Sequence, residues 1–285
     1  MKLERELDRP LWYLLPGALL LAAVTLFPLG HVIWLSLQRR SLLQGPPRFI
    51  GLDNYLRLAA DERFWNALGN TAYFATVSVA LELVLGLAIA LVMERFSRGR
   101  SLFYAVILLP WAVPTAVSAR MWEWMYDAEI GVLNYLAGTH VNWLGSPAWA
   151  LNAAIAMDVW KSTPFMVLLL LAGLQSIPQD VYRAAAVDGA SAWTVLRRIT
   201  LPLLAPVVLI ALVFRTIDAF RVFDAIYVLT GGGPADSTET LSIYAYKVLF
   251  QGLEFGYGSA LAVSVFVCVA LAALFYARLM RAVLQ

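Results

Sequence analysis

The residues of this chain with the most chemistry to offer are charged side chains that interrupt long apolar runs. Four of them follow one another at three-residue intervals with alternating sign: Arg215, Asp218, Arg221 and Asp224. Residues three apart lie on the same side of a helix, so each can form an ion pair with its neighbour. The spacing therefore predicts a charged ladder along one face of a helix.

Two further apolar runs also contain charged residues. Asp158 and Lys161 are again three residues apart, and Glu82 stands in an earlier run. A charge inside a bilayer is costly and usually marks a polar cavity or pathway. The same charges could instead neutralise one another and lock neighbouring helices together. The sequence leaves both interpretations open, a polar interior lined by two adjacent ladders or a structural lock.

A serine nucleophile is the other chemistry to consider. The stretch Gly189-Ala190-Ser191-Ala192 fits a G-x-S-x pattern, as in intramembrane serine proteases. Ser191 lies in a polar segment, however, and the last apolar run has no histidine to act as its base. Nor is there a phosphate-binding G-x-x-x-x-G-K-[ST] loop; the three glycines at 231–233 precede Pro234, which is typical of a turn or a contact surface. We expect a chain without enzymatic activity.

The composition indicates an integral membrane protein. Of the 285 residues, 61% are hydrophobic and only 14% are charged, with a mean hydropathy of +0.72. Soluble domains carry about 25% charged residues. The net charge of +2 argues against a nucleic-acid partner. A single cysteine, Cys268, and two distant histidines, His31 and His140, predict no internal disulfide and no metal site.

Six apolar runs are long enough to cross a bilayer as helices, which takes about 20 residues. They cover residues 11–37, 65–93, 102–124, 149–174, 203–229 and 255–279. We therefore expect an all-α membrane protein with six transmembrane helices in a single domain, residues 1–285. The first run is too long for a signal peptide and lacks an A-x-A cleavage site, so we expect it to remain as an anchor.

The distribution of Lys and Arg predicts the orientation, because basic residues favour the cytoplasmic side. With the amino terminus inside, the inner segments hold eleven basic residues and the outer segments hold six. This count places both termini, and the segment between the fourth and fifth runs, in the cytoplasm.

That segment, residues 176–201, is a sizeable polar element that contains a turn and lies between two long apolar runs. Ser176, Pro178 and Gln179 predict the start of a helix with a capping box at Ser176. The alanines at 184–186 follow, and their small side chains would let another protein approach closely.

A turn and a second helix complete the same segment. Gly189, after Asp188, can take the left-handed conformation that ends a helix. A second helix is expected at residues 191–199, ending at Leu201 and Pro202. The unit would be a helix-turn-helix on the membrane surface, either a docking site for a protein or an ordinary interfacial loop.

The same segment resembles the cytoplasmic "EAA" loop of ATP-binding-cassette (ABC) importer permeases. The positions that match its pattern are Ala184, Ala185, Asp188, Gly189, Ala190, Ile199, Leu201, Pro202 and Pro206. Further stretches that resemble the family are 49–55 (FIGLDNY), 64–71 (FWNALGNT), 109–111 (LPW), 173–178 (GLQSIP) and 229–241 (LTGGGPADSTETL). The resemblance covers essentially the whole chain and is strongest to sugar permeases similar to the larger permease subunit of maltose and trehalose transporters.

One position departs from the family pattern, because Arg183 stands where the family has a glutamate. In the family that acid is thought to pair with a basic residue of the ATPase subunit. The resemblance implies that this contact is absent here or rebuilt around a carboxylate. The resemblance also implies which residues couple the permease to the ATPase: Arg183, Ala184, Ala185, Asp188, Gly189, Ala190, Leu201 and Pro202.

The resemblance also implies a fold, partners and a location. The fold would be that of a type I ABC importer permease in the inner membrane of a prokaryote. The partners would be a second permease in a heterodimer, an extracytoplasmic solute-binding protein and two cytoplasmic ATPase subunits. ATP and Mg would be bound by those ATPase subunits, and this chain would hold no cofactor.

The expected substrate is a disaccharide or small oligosaccharide that crosses by alternating access. Sugars are held by charged and amide groups at their hydroxyls and by aromatic rings at their apolar faces, and the fourth and fifth runs contain both kinds of group. The residues expected to line the path are Asp158, Ser162, Phe165, Asp218, Phe220, Arg221 and Asp224. Glycerol 3-phosphate or another polyol-type solute is an alternative, and a secondary transporter or a non-transporting scaffold are others.

Overall fold

The computed structural model describes residues 2–43, 45–95 and 100–284, and nearly all of its regular structure is helical. The α-helices are α1 Lys2–Ser36, α2 Asp53–Ala59, α3 Glu62–Arg95, α4 Arg100–Ala112, α5 Thr115–Met125, α6 Val132–Ala137, α7 Ala150–Ser176, α8 Gln179–Val187, α9 Ala192–Val195, α10 Leu201–Phe220, α11 Asp224–Leu229, α12 Leu241–Tyr246 and α13 Phe255–Leu284. Two short antiparallel strands, β1 Gln38–Arg39 and β2 Arg48–Phe49, follow α1. The predicted all-α class is confirmed.

Five helices in the described part of the chain are long and apolar enough to cross a membrane. They are Tyr13–Ser36, Glu62–Arg95, Ala150–Ser176, Ala192–Phe220 and Phe255–Ala282. A sixth candidate is a broken pair, Leu102–Ala112 and Thr115–Met125, whose axes differ by 92°. The six predicted apolar runs therefore correspond to five long helices and one bent pair.

The third apolar run is not the continuous helix that was predicted for residues 102–124. Pro114 disfavours a helical conformation at Val113 and has no N–H to donate, so α4 ends at Ala112. Pro114 then precedes α5 with an extended backbone, φ −55° and ψ 139°. The chain turns sharply within the run.

The fifth run also differs from its predicted bounds of 203–229. The helix continues without interruption from Ala192 to Phe220, so the predicted end at Leu201 and Pro202 is wrong. Because Pro202 has no N–H, the regular bond to the carbonyl of Arg198 is missing, and the preceding residues Leu196–Thr200 form a π-helical segment. Proline here distorts the helix without ending it.

At its other end this helix stops at Phe220, and α11 begins only at Asp224. The amide of Arg221 bonds to Asp218 O at 3.1 Å and that of Val222 to Ala219 O at 3.2 Å, which closes the helix in a tight turn. The Val222 carbonyl accepts a bond of 3.3 Å from the Thr240 hydroxyl. This run is thus broken at residues 221–223.

The polar segment begins differently from its prediction. Ser176 is the last residue of α7, and its hydroxyl donates to Gly173 O at 2.7 Å, so it does not cap the next helix. Ile177 is extended, as expected before Pro178, and α8 starts at Gln179. The capping box predicted at Ser176 is therefore wrong, because the proline forces the chain out of the helical conformation first.

The turn predicted after α8 is confirmed in detail. Gly189 has a φ of +69°, and its amide bonds to Ala186 O at 3.1 Å. The amide of Ala190 bonds to Ala185 O at 3.0 Å. These two bonds form a Schellman motif, which glycine favours because it has no Cβ. Ser191 then caps α9 by accepting a bond of 3.3 Å from the Thr194 amide.

The chain divides into two compact units, of which the first combines the residues up to Asp61 with Ala245–Ser264. The Asn54 side-chain amide donates to Ser36 O at 2.7 Å and to Gln38 O at 2.9 Å, which fastens α2 to the end of α1. The amide of Gly256 bonds to Arg40 O at 2.9 Å. A side chain at Gly256 would put its Cβ 2.0 Å from Gln38 O, so only glycine fits this approach.

The second unit contains Glu62–Tyr244 and the chain from Val265 onward. Its core is built mainly by α3 and α7, with α10 packed against both. Gly86 on α3 lies directly against the fully buried Met166 on α7. Small residues at such crossings let membrane helices approach closely, since no hydrophobic effect drives them together in lipid.

Replacing Gly86 by alanine should destabilise this helix crossing. The added Cβ would lie 2.7 Å from Met166 Cγ and 2.9 Å from Met166 Cβ. Overpacking of this kind costs about 1–3 kcal/mol. We expect Gly86→Ala to lower the melting temperature of the purified protein in detergent.

Gly69→Ala is the matched control, because Gly69 lies in the same helix with nothing within 4 Å of the added Cβ. It should leave the melting temperature unchanged or raise it, since alanine favours helix by about 0.5–1 kcal/mol over glycine. Equal melting temperatures for the two variants would contradict the close crossing.

Candidate functional site

The guanidinium group of Arg215 on α10 binds carboxylates from three helices. It donates from Nη2 to Glu82 Oε1 on α3 at 2.7 Å and to Asp158 Oδ2 on α7 at 3.0 Å. A second bond to Glu82 comes from Nε, and Nη1 donates to Asp218 Oδ2 at 2.6 Å. One cation thus ties α3, α7 and α10 together.

Burial separates the structural part of this cluster from the accessible part. The side chains of Arg215 and Glu82 are 4% and 0% exposed, whereas that of Asp218 is 67% exposed. The bidentate Arg215–Glu82 pair is therefore a lock between helices, because both side chains are buried and joined by two hydrogen bonds. Asp218 is the most exposed member of the cluster. The lock interpretation fits the Arg215–Glu82 pair, and the pathway interpretation stays a prediction for the exposed residues.

A polar cavity of about 270 Å³ lies beside the cluster. Six charged residues border it: Asp158, Lys161, Arg215, Asp218, Arg221 and Asp224. Trp111 and Thr115, on either side of the break between α4 and α5, also border it. Such a concentration of polar groups suits a hydrophilic solute.

A second, more apolar cavity of about 280 Å³ adjoins the first. The two share Trp111, Ser162, Arg215, Asp218 and Arg221. Phe165 and Phe214 add aromatic surface to the second cavity, and the rings of Trp111 and Phe165 are stacked with centroids 6.1 Å apart. Charged groups and aromatic faces are thus presented side by side.

The break after α10 borders the polar cavity, because Arg221, Val222 and Phe223 are among the residues that line it. Non-helical backbone at membrane depth is tolerated only where protein or a water-filled cavity satisfies its polar groups. Broken helices of this kind often form solute sites in transporters. The unwound residues are therefore part of the candidate site.

The structure brings six of the seven predicted path residues to these cavities. Asp158, Ser162, Asp218, Arg221 and Asp224 border the polar cavity, and Phe165 borders the second one. Phe220 borders neither of these two cavities, because it is half-buried and packs against a core that includes Phe74 and Ile226.

The predicted ladder of ion pairs forms only in part. Arg215 and Asp218 pair as the spacing predicts. Among the ion pairs of the described residues, however, none involves Lys161, Arg221 or Asp224. Asp158 is paired with Arg215 of another helix, and Lys161 donates to the carbonyl oxygen of Val113 at 2.8 Å.

Several residues that border the cavities were not assigned to the path from the sequence, among them Trp111, Thr115, Lys161, Phe214 and Arg215. A signal for Trp111 and Thr115 exists, because Pro110 and Pro114 flank Trp111 and mark a break inside an apolar run. The role of Arg215 depends on Glu82, which is 133 residues away in sequence, and no local pattern predicts that pairing.

Six of the eight predicted coupling residues, from Arg183 to Ala190, lie on α8 and in the turn that follows it, whereas Leu201 and Pro202 are the first residues of α10. Arg183 Nη1 lies 3.3 Å from Asp180 Oδ1, but both side chains are mostly exposed, so the pair adds little to stability. Ala184 and Gly189 are exposed and Ala185 is buried. Val187 and Trp193 are 88% and 68% exposed. An apolar surface of this kind, around small and charged residues, fits a protein partner.

The structure shows no metal site in the chain segments it describes: these contain no group of three or more His, Cys, Asp or Glu side chains that could hold an ion.

The sequence was compared with models of protein families and with known proteins. Residues 82–285 match the family described as "Binding-protein-dependent transport system inner membrane component". The chain is 46% identical over 260 residues, 90% of its length and 88% of the other, to the trehalose/maltose transport system permease protein MalF of Thermococcus litoralis. It is 44% identical over 282 residues, 98% of this chain and 91% of the other, to the trehalose transport system permease protein SugA of Mycobacterium tuberculosis.

Among solved structures, the chain shares its fold with a bacterial ABC transporter involved in the import of the acidic polysaccharide alginate. The TM-score is 0.83 at 24% sequence identity, and the match covers 100% of both chains.

Removing the positive charge of Arg215 should strongly destabilise the protein. Arg215→Met would leave Glu82 buried without its partner, and breaking a buried pair in this way costs about 3–5 kcal/mol. We expect a large fall in melting temperature, which Glu82→Gln in the same chain partly restores because the stranded charge is then also removed.

Arg221→Met is the matched control, since Arg221 also borders the cavities but is exposed and takes part in none of the described ion pairs. Its effect on stability should stay within about 0.5 kcal/mol. If Arg215→Met and Arg221→Met melt at the same temperature, the lock does not stabilise the fold.

Proposed function

Because the chain belongs to the family of binding-protein-dependent transport system inner membrane components and is the permease of an ABC sugar importer, we propose that its substrate is a disaccharide of the trehalose or maltose type. The observation that carries this proposal is the pair of adjoining cavities, one charged and one aromatic, between α4, α7 and α10. Its similarity to permeases named for trehalose and maltose supports the same substrate class.

The chemistry of the cavities suits a neutral sugar. The apolar face of a sugar ring can lie on the rings of Trp111 and Phe165. Its hydroxyls can donate to the carboxylates of Asp218 and Asp224 and accept from the guanidinium of Arg221. Two adjoining cavities with five lining residues in common also suit a solute built of two linked rings.

The permease acts in a complex, and we propose the following arrangement. A second permease completes the path, and a solute-binding protein delivers the sugar from outside the cell. One similar structure is an alginate ABC transporter in complex with a sugar-bound periplasmic protein, which is the kind of assembly expected here. Two ATPase subunits bind ATP and Mg on the cytoplasmic side.

In this arrangement both termini and the α8–α9 segment are cytoplasmic. The ATPase subunits bind that segment through exposed residues such as Val187 and Trp193 and the backbone around Gly189. The segment continues into α10 without a break, because the helix runs from Ala192 to Phe220. A movement of the ATPase is therefore transmitted along one helix to Arg215 and Asp218, where alternating access exposes the site to either side.

A phosphorylated polyol such as glycerol 3-phosphate is the second candidate substrate. The observation that favours it is Arg221, an exposed cation on the cavity wall that none of the described ion pairs includes. The carboxylates of Asp218 and Asp224 border the same cavity and oppose an anion.

Uptake assays separate these candidates. In proteoliposomes that contain the complete transporter, we expect ATP-dependent uptake of radiolabelled trehalose or maltose and no uptake of glycerol 3-phosphate. The stacked rings of Trp111 and Phe165 form an aromatic wall of the cavities. Because Trp111→Ala removes part of this aromatic wall, it should reduce uptake about tenfold, equivalent to about 1.4 kcal/mol. Trp124→Ala is the control, since Trp124 is 80% exposed and borders neither cavity. Uptake of the phosphate ester alone would refute the disaccharide proposal.

Reversing the charge of Arg183 tests the coupling segment. If the ATPase surface that faces Arg183 carries a carboxylate, Arg183→Glu places two negative charges together. We then expect sugar-stimulated ATP hydrolysis and uptake to fall by about fivefold or more, equivalent to about 1 kcal/mol. Arg278→Glu, the same charge change on an exposed residue of α13, should have little effect. If both variants couple normally, Arg183 has no role at the interface.

A further inference from the structure

Lys161 on α7 binds the backbone at the point where the third apolar run is broken. Its ammonium group donates to the carbonyl oxygen of Val113 at 2.8 Å and lies 3.5 Å from that of Trp111. Both carbonyls belong to the junction between α4 and α5, where the helix axis turns by 92°. A side chain of one helix thus supports the bend of another.

These carbonyls need a partner. The last carbonyls of a helix have no intrahelical donor, and Pro114 supplies no N–H for them. In a membrane an unsatisfied carbonyl is costly, because no water is present in the hydrocarbon region to replace the lost bond. A cation is also the favoured partner at a helix carboxyl end, where the helix dipole is negative. An ammonium group satisfies both requirements.

Lys161 is committed to this junction rather than to the charged cluster. Asp158, three residues earlier, is the carboxylate that the spacing offers it, but Asp158 Oδ2 accepts from Arg215 at 3.0 Å. None of the ion pairs among the described residues includes Lys161. The residue is only 9% exposed, so most of its side chain is packed against the protein.

The bend carries Trp111, whose ring borders both cavities. That ring is stacked on Phe165, which lies one helical turn after Lys161 on α7. Lys161 therefore fixes the backbone of the Trp111 region and Phe165 fixes its ring, from the same helix. The aromatic wall is attached to α7 at two points.

We infer that Lys161 is a positioning residue: it holds the bend between α4 and α5 against α7 and thereby sets the aromatic wall of the cavities. Its effect on uptake rests on the proposed function, whereas its effect on the bend does not. The two effects can therefore be measured separately.

The bend is tested by a distance measurement between spin labels on α4 and α5. Val106 and Val117 are exposed positions for the labels, in a chain whose single cysteine, Cys268, is replaced by alanine. In the assembled transporter without sugar, Lys161→Met should shift or broaden the distance distribution. Lys161→Arg keeps cationic donors and should retain the native distribution. Lys247→Met, which removes another of the three lysines, should also retain it.

Uptake is measured for the same variants. We expect Lys161→Met to reduce ATP-dependent uptake about tenfold, equivalent to about 1.4 kcal/mol, and Lys161→Arg to restore most of it. Should Lys161→Met fail to assemble, Lys161→Gln removes the charge while keeping a donor, and it should broaden the distribution in the same way.

Two results would overturn the inference. One is a native distance distribution in Lys161→Met together with a loss of uptake, which would make Lys161 a direct substrate contact. The other is a native distribution with normal uptake. A shifted distribution in a transporter that takes up neither trehalose nor maltose would instead support the positioning role and refute the proposed substrate.

Discussion

The arrangement of the site depends on one buried guanidinium group. Arg215 brings a carboxylate from α3, a carboxylate from α7 and one from its own helix to a single point. In a low-dielectric interior an unpaired ion is far more costly than in water, so three helices that share one cation are held at a defined crossing. The cavities lie beside this point, and their shape follows from where α7 and α10 are fixed. Asp218, on the exposed side of the same cluster, connects the lock to the wall of the cavities.

Two apolar runs are broken next to this cluster, by different means. In the third run Pro114 forces the break, and a lysine from α7 satisfies a freed carbonyl. In the fifth run no proline is present at residues 221–223, and a tight turn closes the helix while Thr240 binds the carbonyl of Val222. Residues at both breaks border the polar cavity, Trp111 and Thr115 at the first and residues 221–223 at the second. At both breaks a side chain from elsewhere in the chain donates to a carbonyl that the helix leaves without its regular partner.

The sequence predicted what depends on local composition and left open what depends on distant partners. The apolar runs and the turn at Gly189 are local features, and the turn and four of the six runs were found as expected. The proline rules were less reliable, because Pro114 broke a helix while Pro202 only widened one. The three-residue spacing predicted the Arg215–Asp218 pair correctly but also implied a partner for Lys161 on its own helix. That residue binds carbonyls 48 and 50 residues away, a choice set by the packing of α7 against the bend.

The pair between Glu82 and Arg215 also has a consequence in time. The ribosome adds the arginine 133 residues after the glutamate. At about 5–20 residues per second, this leaves an interval of about 7–27 s. Helix α3 is therefore made with a buried acidic residue, Glu82, whose partner has not yet been synthesised. Glu82 can form its ion pair only after α10 has been made. For this chain, the site can assemble only late in synthesis. The helices made between α3 and α10 are complete before the Glu82–Arg215 pair can form.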